Sequence, residues 1–79
     1  MKLYVKSRCP WCVDARDWLD GRSIAYSVVD VLDDRVAFAR MREISGQSLT
    51  PTLEMPDGEV LADFDTGQLE KFLKAREAR

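Results

Sequence analysis

Two cysteines three positions apart, Cys9 and Cys12, constrain this chain more than any other feature. No other cysteine is present. They follow a short β-rich run, Lys2-Leu3-Tyr4-Val5-Lys6, and Pro10 between them opens a helical pattern. A pair this close shuts a tiny loop, so a crosslink here adds little stability. Small secreted scaffolds use four or more cysteines at wide spacing. The purpose read from the pair is therefore chemical.

The flanking pattern is regular. Residues 2–6 are apolar on both sides of a pleat, as in a central strand buried on both faces. Proline suits the first helical position, where its missing N–H had no partner. The spacing predicts a helix from Pro10 to Asp20 with Gly21 as its stop. Cys12, Ala15, Trp18 and Leu19 share its inner face. Residues 24–29 read as a second strand. Asp33 or Asp34 caps a second helix that turns Ala37, Phe38, Met41 and Ile44 inward, and Ser45-Gly46 ends it. Residues 49–55 and 59–62 flank Pro56-Asp57-Gly58 as a hairpin. Asp65 or Thr66 caps a last helix, with Asp65 and Gln68 at capping-box spacing. Leu69, Phe72 and Leu73 face the core. Lys71, Lys74 and Arg76 lie toward the C-terminal end, where cations are favourable. The order is β-α-β-α-β-β-α, an α/β class with a right-handed parallel first crossover.

Composition removes several function classes. Seventy-nine residues suit one domain spanning 1–79, with a radius of gyration near ~12 Å. Apolar residues make up 46% and charged residues 33%, enough to close a core. No window reaches the ~18 uncharged apolar residues of a membrane span, so no membrane partner is expected. Twelve cations against fourteen anions leave a net charge of −2, which argues against a sequence-independent nucleic-acid binder. Lys6, Ser7 and Arg8 interrupt the first apolar run, so no export signal and a cytoplasmic location are expected.

At a helix start, orphan backbone N–H groups and the positive end of the dipole stabilise a thiolate at Cys9, and Lys6 and Arg8 add positive charge. This makes Cys9 the candidate nucleophile and Cys12 the resolving thiol, working through a mixed disulfide on Cys9. The alternatives are inert thiols or a zinc half-site. Zinc needs four Cys or His ligands. The chain has no histidine and no third cysteine, so it closes no metal site alone, although two subunits could supply four thiolates. A C-x-x-C beside a βαβ pattern favours redox chemistry in a thioredoxin fold. Pro51 has two readings. It is either a cis proline set against the cysteines, holding Thr50 extended toward substrate, or a trans proline opening an edge strand. Trp11, between the cysteines, is expected on a partner-docking surface. Trp18 is expected to pack.

Tyr4-Val5-Lys6-Ser7-Arg8-Cys9-Pro10-Trp11-Cys12 resembles the strand, lysine and C-P-[YFW]-C site of the glutaredoxins. Ser45-Gly46-Gln47-Ser48-Leu49-Thr50-Pro51 resembles their cis-proline segment, and Leu61-Ala62-Asp63-Phe64-Asp65-Thr66 takes the place of their glycine-pair motif. The resemblance runs nearly end to end. It implies a thioredoxin fold with a four-stranded mixed sheet and three helices. It also implies glutathione lying across the site as co-substrate, with no tightly bound cofactor. By position, Lys6 and Gln47 match contacts to its glycine carboxylate. Thr50 matches the backbone partner of its cysteinyl part, beside Pro51, and Phe64 and Asp65 match the pair that holds its γ-glutamyl end. For Lys6 and Gln47 the plain alternative is a solvated side chain, and for Asp65 a helix cap. Ala62-Asp63 departs from the family's Gly-Gly and puts a negative charge where a γ-glutamyl carboxylate would sit. Thr50 departs from the hydrophobic residue common before the proline. Phe64 is similar to the glutaredoxin-like hydrogen donors of ribonucleotide reductase, which thioredoxin reductase serves. Cys-Pro-Trp-Cys is shared with the mycoredoxins.

The activity implied is a glutaredoxin-type thiol-disulfide oxidoreductase in electron transport and cell redox homeostasis. Its substrates would be protein disulfides or mixed disulfides with a low-molecular-weight thiol. Cys-Pro-Trp-Cys and Lys6 favour glutathione as the electron source, and Ala62-Asp63-Phe64 favours a flavoprotein disulfide reductase. An iron–sulfur carrier with a cluster held between two subunits and an adaptor with incidental cysteines are the other classes. A monomer is the expected state.

Overall fold

The computed structural model describes residues 1–78. Its elements run β1 (Lys2–Val5), α1 (Pro10–Gly21), β2 (Ser27–Asp30), α2 (Arg35–Ser45), β3 (Thr52–Glu54), β4 (Val60–Ala62) and α3 (Thr66–Glu77). The sheet order is β2-β1-β3-β4. β1 pairs parallel with β2 and antiparallel with β3, and β3 pairs antiparallel with β4. This is the mixed four-stranded sheet with three helices expected above, and the radius of gyration is 11.8 Å.

Central placement of β1 follows from its side chains. A pleat sends alternate residues to opposite faces. Leu3 and Val5 enter a core with Cys12, Ala15, Leu19, Leu53, Phe64 and Leu69, on the side of α1 and α3. Tyr4 enters the opposite core with Val31 and Met41, joined by Ala37, Phe38 and Ile44 of α2. Each fully buried aliphatic side chain contributes roughly 1.5–3 kcal/mol, so both faces hold the central strand in register. Tyr4 is fully buried, and its hydroxyl donates to Glu54 Oε1 at 2.7 Å. Arg40 Nη2 meets Glu54 Oε2 at 2.8 Å, which joins β1, β3 and α2 through polar groups.

The helix ends show where local chemistry overrides the sequence pattern. The expected stop at Gly21 and strand at 24–29 need correction. Gly21 is the last helical residue, and the left-handed residue is Ser23, at φ 55°. Ile24 N donates to Leu19 O and Ser23 N to Asp20 O, both at 3.1 Å. This is a Schellman closure, with Ile24 packed back onto the core that contains Leu19. Ile24 therefore belongs to the helix end, and β2 starts at Ser27. At the other termini Asp34 caps α2 by accepting from Ala37 N, and Gly46, at φ 70°, closes it. Asp65 caps α3 in a complete capping box with Gln68. The hairpin strands are shorter than expected, and Gly58 turns between them at φ 93°. Arg76 of α3 reaches back to Asp57 and Glu59 of that hairpin. No helix among the described residues is long and apolar enough to cross a membrane.

Candidate functional site

Cys9 lies where β1 hands over to α1. It is the N-cap of α1, with extended backbone at φ −99° and ψ 108°. Its sulfur stands in for the oxygen of an ordinary cap and accepts the Cys12 N–H at 3.2 Å. Thr50 approaches from the other side. Its hydroxyl donates to Cys9 Sγ at 3.7 Å, and the Cys9 thiol lies 3.8 Å from Thr50 O. Charge on this sulfur is therefore met by two donors and by the positive end of the helix.

Cys12 is placed differently. It is one helical turn further on, only 2% exposed, and part of the α1–α3 core. Burial, the largest influence, and then the neighbouring Cys9 push its thiol up to about 11. Both cysteines are free thiols, Cys9 half-buried and Cys12 buried. An incoming disulfide can reach the first sulfur and not the second.

The Thr50–Pro51 bond is cis, which decides between the two readings of Pro51. Thr50 is 8% exposed and Pro51 is buried beside it. Trp11 is 59% exposed at the start of α1, with exposed Val13 and Leu49. Trp18 packs against the core as expected, and the Arg22 guanidinium lies 3.9 Å over its ring.

The other expected contacts fall into two groups. Lys6 and Asp65 flank the cysteines but are already engaged. Lys6 Nζ donates to Ser48 O at 2.8 Å and lies over the Phe38 ring. Asp65 accepts from Gln68 N at 2.8 Å. Gln47 and Phe64 present little side chain to the surface. The Gln47 amide donates to Ser45 Oγ and Thr52 Oγ1 and accepts from Leu49 N, bracing the loop ahead of Pro51. Phe64 is 3% exposed and sits in the core, and it also lines the hollow beside Trp11.

One tie gave no sequence signal. Asp30, at the end of β2, accepts from Ser7 Oγ at 2.6 Å and Leu32 N at 2.9 Å, and the Ser7 hydroxyl, followed by the Leu32 N–H, holds its carboxyl below the usual carboxylate range. This ties the loop ahead of Cys9 across to the neighbouring strand. Arg8, in that loop, is left-handed at φ 62°. Asp63, noted in sequence for its charge and its departure from glycine, keeps a left-handed backbone at φ 51° while its N–H donates to Pro51 O at 2.9 Å.

Comparison with known proteins agrees with this geometry. A family model described as Glutaredoxin matches residues 1–61. An uncharacterized glutaredoxin-like 8.6 kDa protein in the rubredoxin operon of Clostridium pasteurianum is 30% identical over 74 residues, covering 94% of this chain and 97% of that protein. The crystal structure of the thioredoxin-like protein BC3987 superposes with a TM-score of 0.80 at 33% identity, covering 89% of this chain and 94% of that one. A mutant of the same protein superposes at 0.82 and 33% identity, covering 91% and 96%. Family and fold together support thiol redox chemistry as the general activity. Sequence match, sheet topology and the pairing of Cys9-Pro10-Trp11-Cys12 with a cis proline agree, and the chain belongs to the glutaredoxin family.

Proposed function

We propose that the protein is a dithiol-disulfide oxidoreductase that reduces disulfides through Cys9 as nucleophile and Cys12 as resolving thiol. The observation that carries this reading is the contrast between the two sulfurs. Cys9 Sγ is capped by the Cys12 N–H and reachable, whereas Cys12 is enclosed.

The chemistry balances within this pair. Cys9 thiolate attacks one sulfur of the substrate disulfide, forms a mixed disulfide and expels the other half as a thiolate. Cys12 loses its proton and attacks Cys9 Sγ, which expels the second half. The substrate gains two electrons and becomes two thiols, and the protein becomes a Cys9–Cys12 disulfide. The protons of the two protein thiols end on the leaving thiolates or in water. The Thr50 hydroxyl steadies charge on Cys9 Sγ before attack.

Substrates are protein disulfides or mixed disulfides with glutathione, and glutathione returns the protein to the dithiol. Support for glutathione is the motif itself and the Lys6 ammonium at the rim. One observation favours a second electron source, a flavoprotein disulfide reductase. Asp63 adds a carboxylate to the hollow beside Trp11, on the side to which the resemblance assigns the γ-glutamyl end, and the Gln47 amide is engaged within its own loop.

Oxidised protein offered glutathione with glutathione reductase and NADPH, or thioredoxin reductase with NADPH, separates the two by its tryptophan fluorescence. Rapid recovery with glutathione supports the first source, and recovery only with the flavoprotein supports the second. Failure with both, and with a chemical dithiol, overturns the oxidoreductase reading.

A further inference from the structure

Two hollows of opposite charge lie on either side of the Cys9–Trp11 segment. The first, about 230 Å³, is lined by both cysteines and by Lys6, Arg8 and Arg16. Its one carboxylate, Asp30, is already held by Ser7 Oγ and Leu32 N. The second, about 250 Å³, lies against Trp11 and Phe64 and contains Asp63 and Asp65 with no cation in its lining. Asp63 makes no ion pair among the described residues, and its N–H bonds Pro51 O. Pro51 follows Thr50, whose carbonyl lies 3.8 Å from Cys9 Sγ. The negative hollow is thus on the cis-proline side of the sulfur, and the positive one is on the side of the loop leaving β1.

A peptide segment that brings a disulfide to Cys9 crosses both hollows. Opposite charges across such a surface raise encounter rates and fix orientation, and like charges oppose docking. The start of α3 offers little to an anion, because Asp65 and Gln68 occupy its cap. We infer that the preferred disulfides lie in charge-polarised segments of partner proteins, with an acidic side chain over Lys6, Arg8 and Arg16 and a basic one over Asp63 and Asp65. This rests on the dithiol reading above and deepens it by naming the kind of segment recognised.

The test uses short capped peptides with one central cysteine, activated as the disulfide with 2-thiopyridine. Cys9 attacks the peptide sulfur and thiopyridone leaves, then Cys12 attacks Cys9 Sγ and releases the peptide thiol. The peptides carry an acidic residue before and a basic residue after the cysteine, the reverse order, two acids, two bases, or neither. Each rate is divided by the rate with N-acetylcysteine, which removes the peptide's intrinsic reactivity.

One of the two polar orders should react about fivefold or more faster than its reverse and than the neutral peptide. That preference should collapse at ~1 M salt, where the screening length is about 3 Å. Asp63→Asn with Asp65→Asn should erase the advantage of the basic residue, since asparagine keeps both the left-handed backbone and the cap. Arg8→Gln should weaken the advantage of the acidic residue. Rates that agree within about twofold across all five peptides, or a best rate with two like charges, overturn the inference while leaving the dithiol reading intact. If no peptide oxidises the protein, the dithiol reading itself falls.

Discussion

Raising the pH toward about 9 should steeply accelerate the second chemical step, the attack by Cys12. In the structure Cys12 is enclosed by the core, and its thiol is pushed up to about 11 by burial first and by Cys9 second. Once Cys9 is in a mixed disulfide its charge is gone, but the burial persists. Only the thiolate attacks. Burial alone keeps the thiol above its ordinary 9.0, so the ionised fraction should climb close to tenfold per pH unit toward pH ~9, and resolution should quicken by roughly 50- to 100-fold between pH ~7 and ~9. Dithiodipyridine reads both steps by absorbance. Attack by Cys9 releases one thiopyridone, and attack by Cys12 releases the second. The slow phase should rise close to tenfold per pH unit from about 6 to 9, and Cys12→Ser should show the fast phase alone. A slow phase that levels off near neutral pH would refute the burial argument for Cys12.

Tyr4→Phe should lower stability by about 1.5 kcal/mol in urea denaturation, the lower end for hydrogen bonds to charged groups, because Glu54 keeps Arg40. The same substitution should flatten the acid limb. Glu54 sits below its ordinary 4.5 chiefly because of the Tyr4 hydroxyl, so its stabilisation is present above that value and lost as pH falls. At the alkaline end Tyr4 is pushed to about 12 and Cys12 to about 11. Their contributions are complete below the ordinary values of 10.0 and 9.0 and are lost as pH rises through the folded values, so the urea midpoint should drop between pH ~9 and ~12. Asp65→Ala should cost ~1 kcal/mol of stability and Asp65→Asn much less, since asparagine still caps. Trp11→Ala should leave the urea midpoint unchanged and raise KM for protein disulfides, because the ring is 59% exposed.

Most of the fold was legible because its signals are local and agree with one another. Alternation placed Leu3 and Val5 opposite Tyr4, and helical spacing placed Phe38, Met41 and Ile44 on one face. Asp65 and Gln68 announced their capping box. What misled was glycine chemistry. Gly21 reads as a stop, yet the left-handed residue is Ser23, and Ile24 is drawn into the helix closure by Leu19, a contact no propensity reveals. At the site, the spacing of Cys9 and Cys12 sufficed to find them. Their different exposure depends on α1 packing against the sheet and α3. Gln47 looked like a surface amide and instead braces a loop through partners on either side of it. Asp30 and Ser7 meet only because β1 and β2 are parallel neighbours, so nothing in their local sequence announces the pair.

The most direct test of the central claim is the intact mass and peptide map of Cys12→Ser and Cys9→Ser proteins after reaction with a disulfide-containing protein substrate. The asymmetric placement of the two sulfurs predicts that Cys12→Ser accumulates a one-to-one mixed disulfide mapped to Cys9, and that Cys9→Ser forms no adduct and loses turnover. An adduct on Cys12, or sustained turnover by Cys9→Ser, would contradict the assignment of Cys9 as the nucleophile.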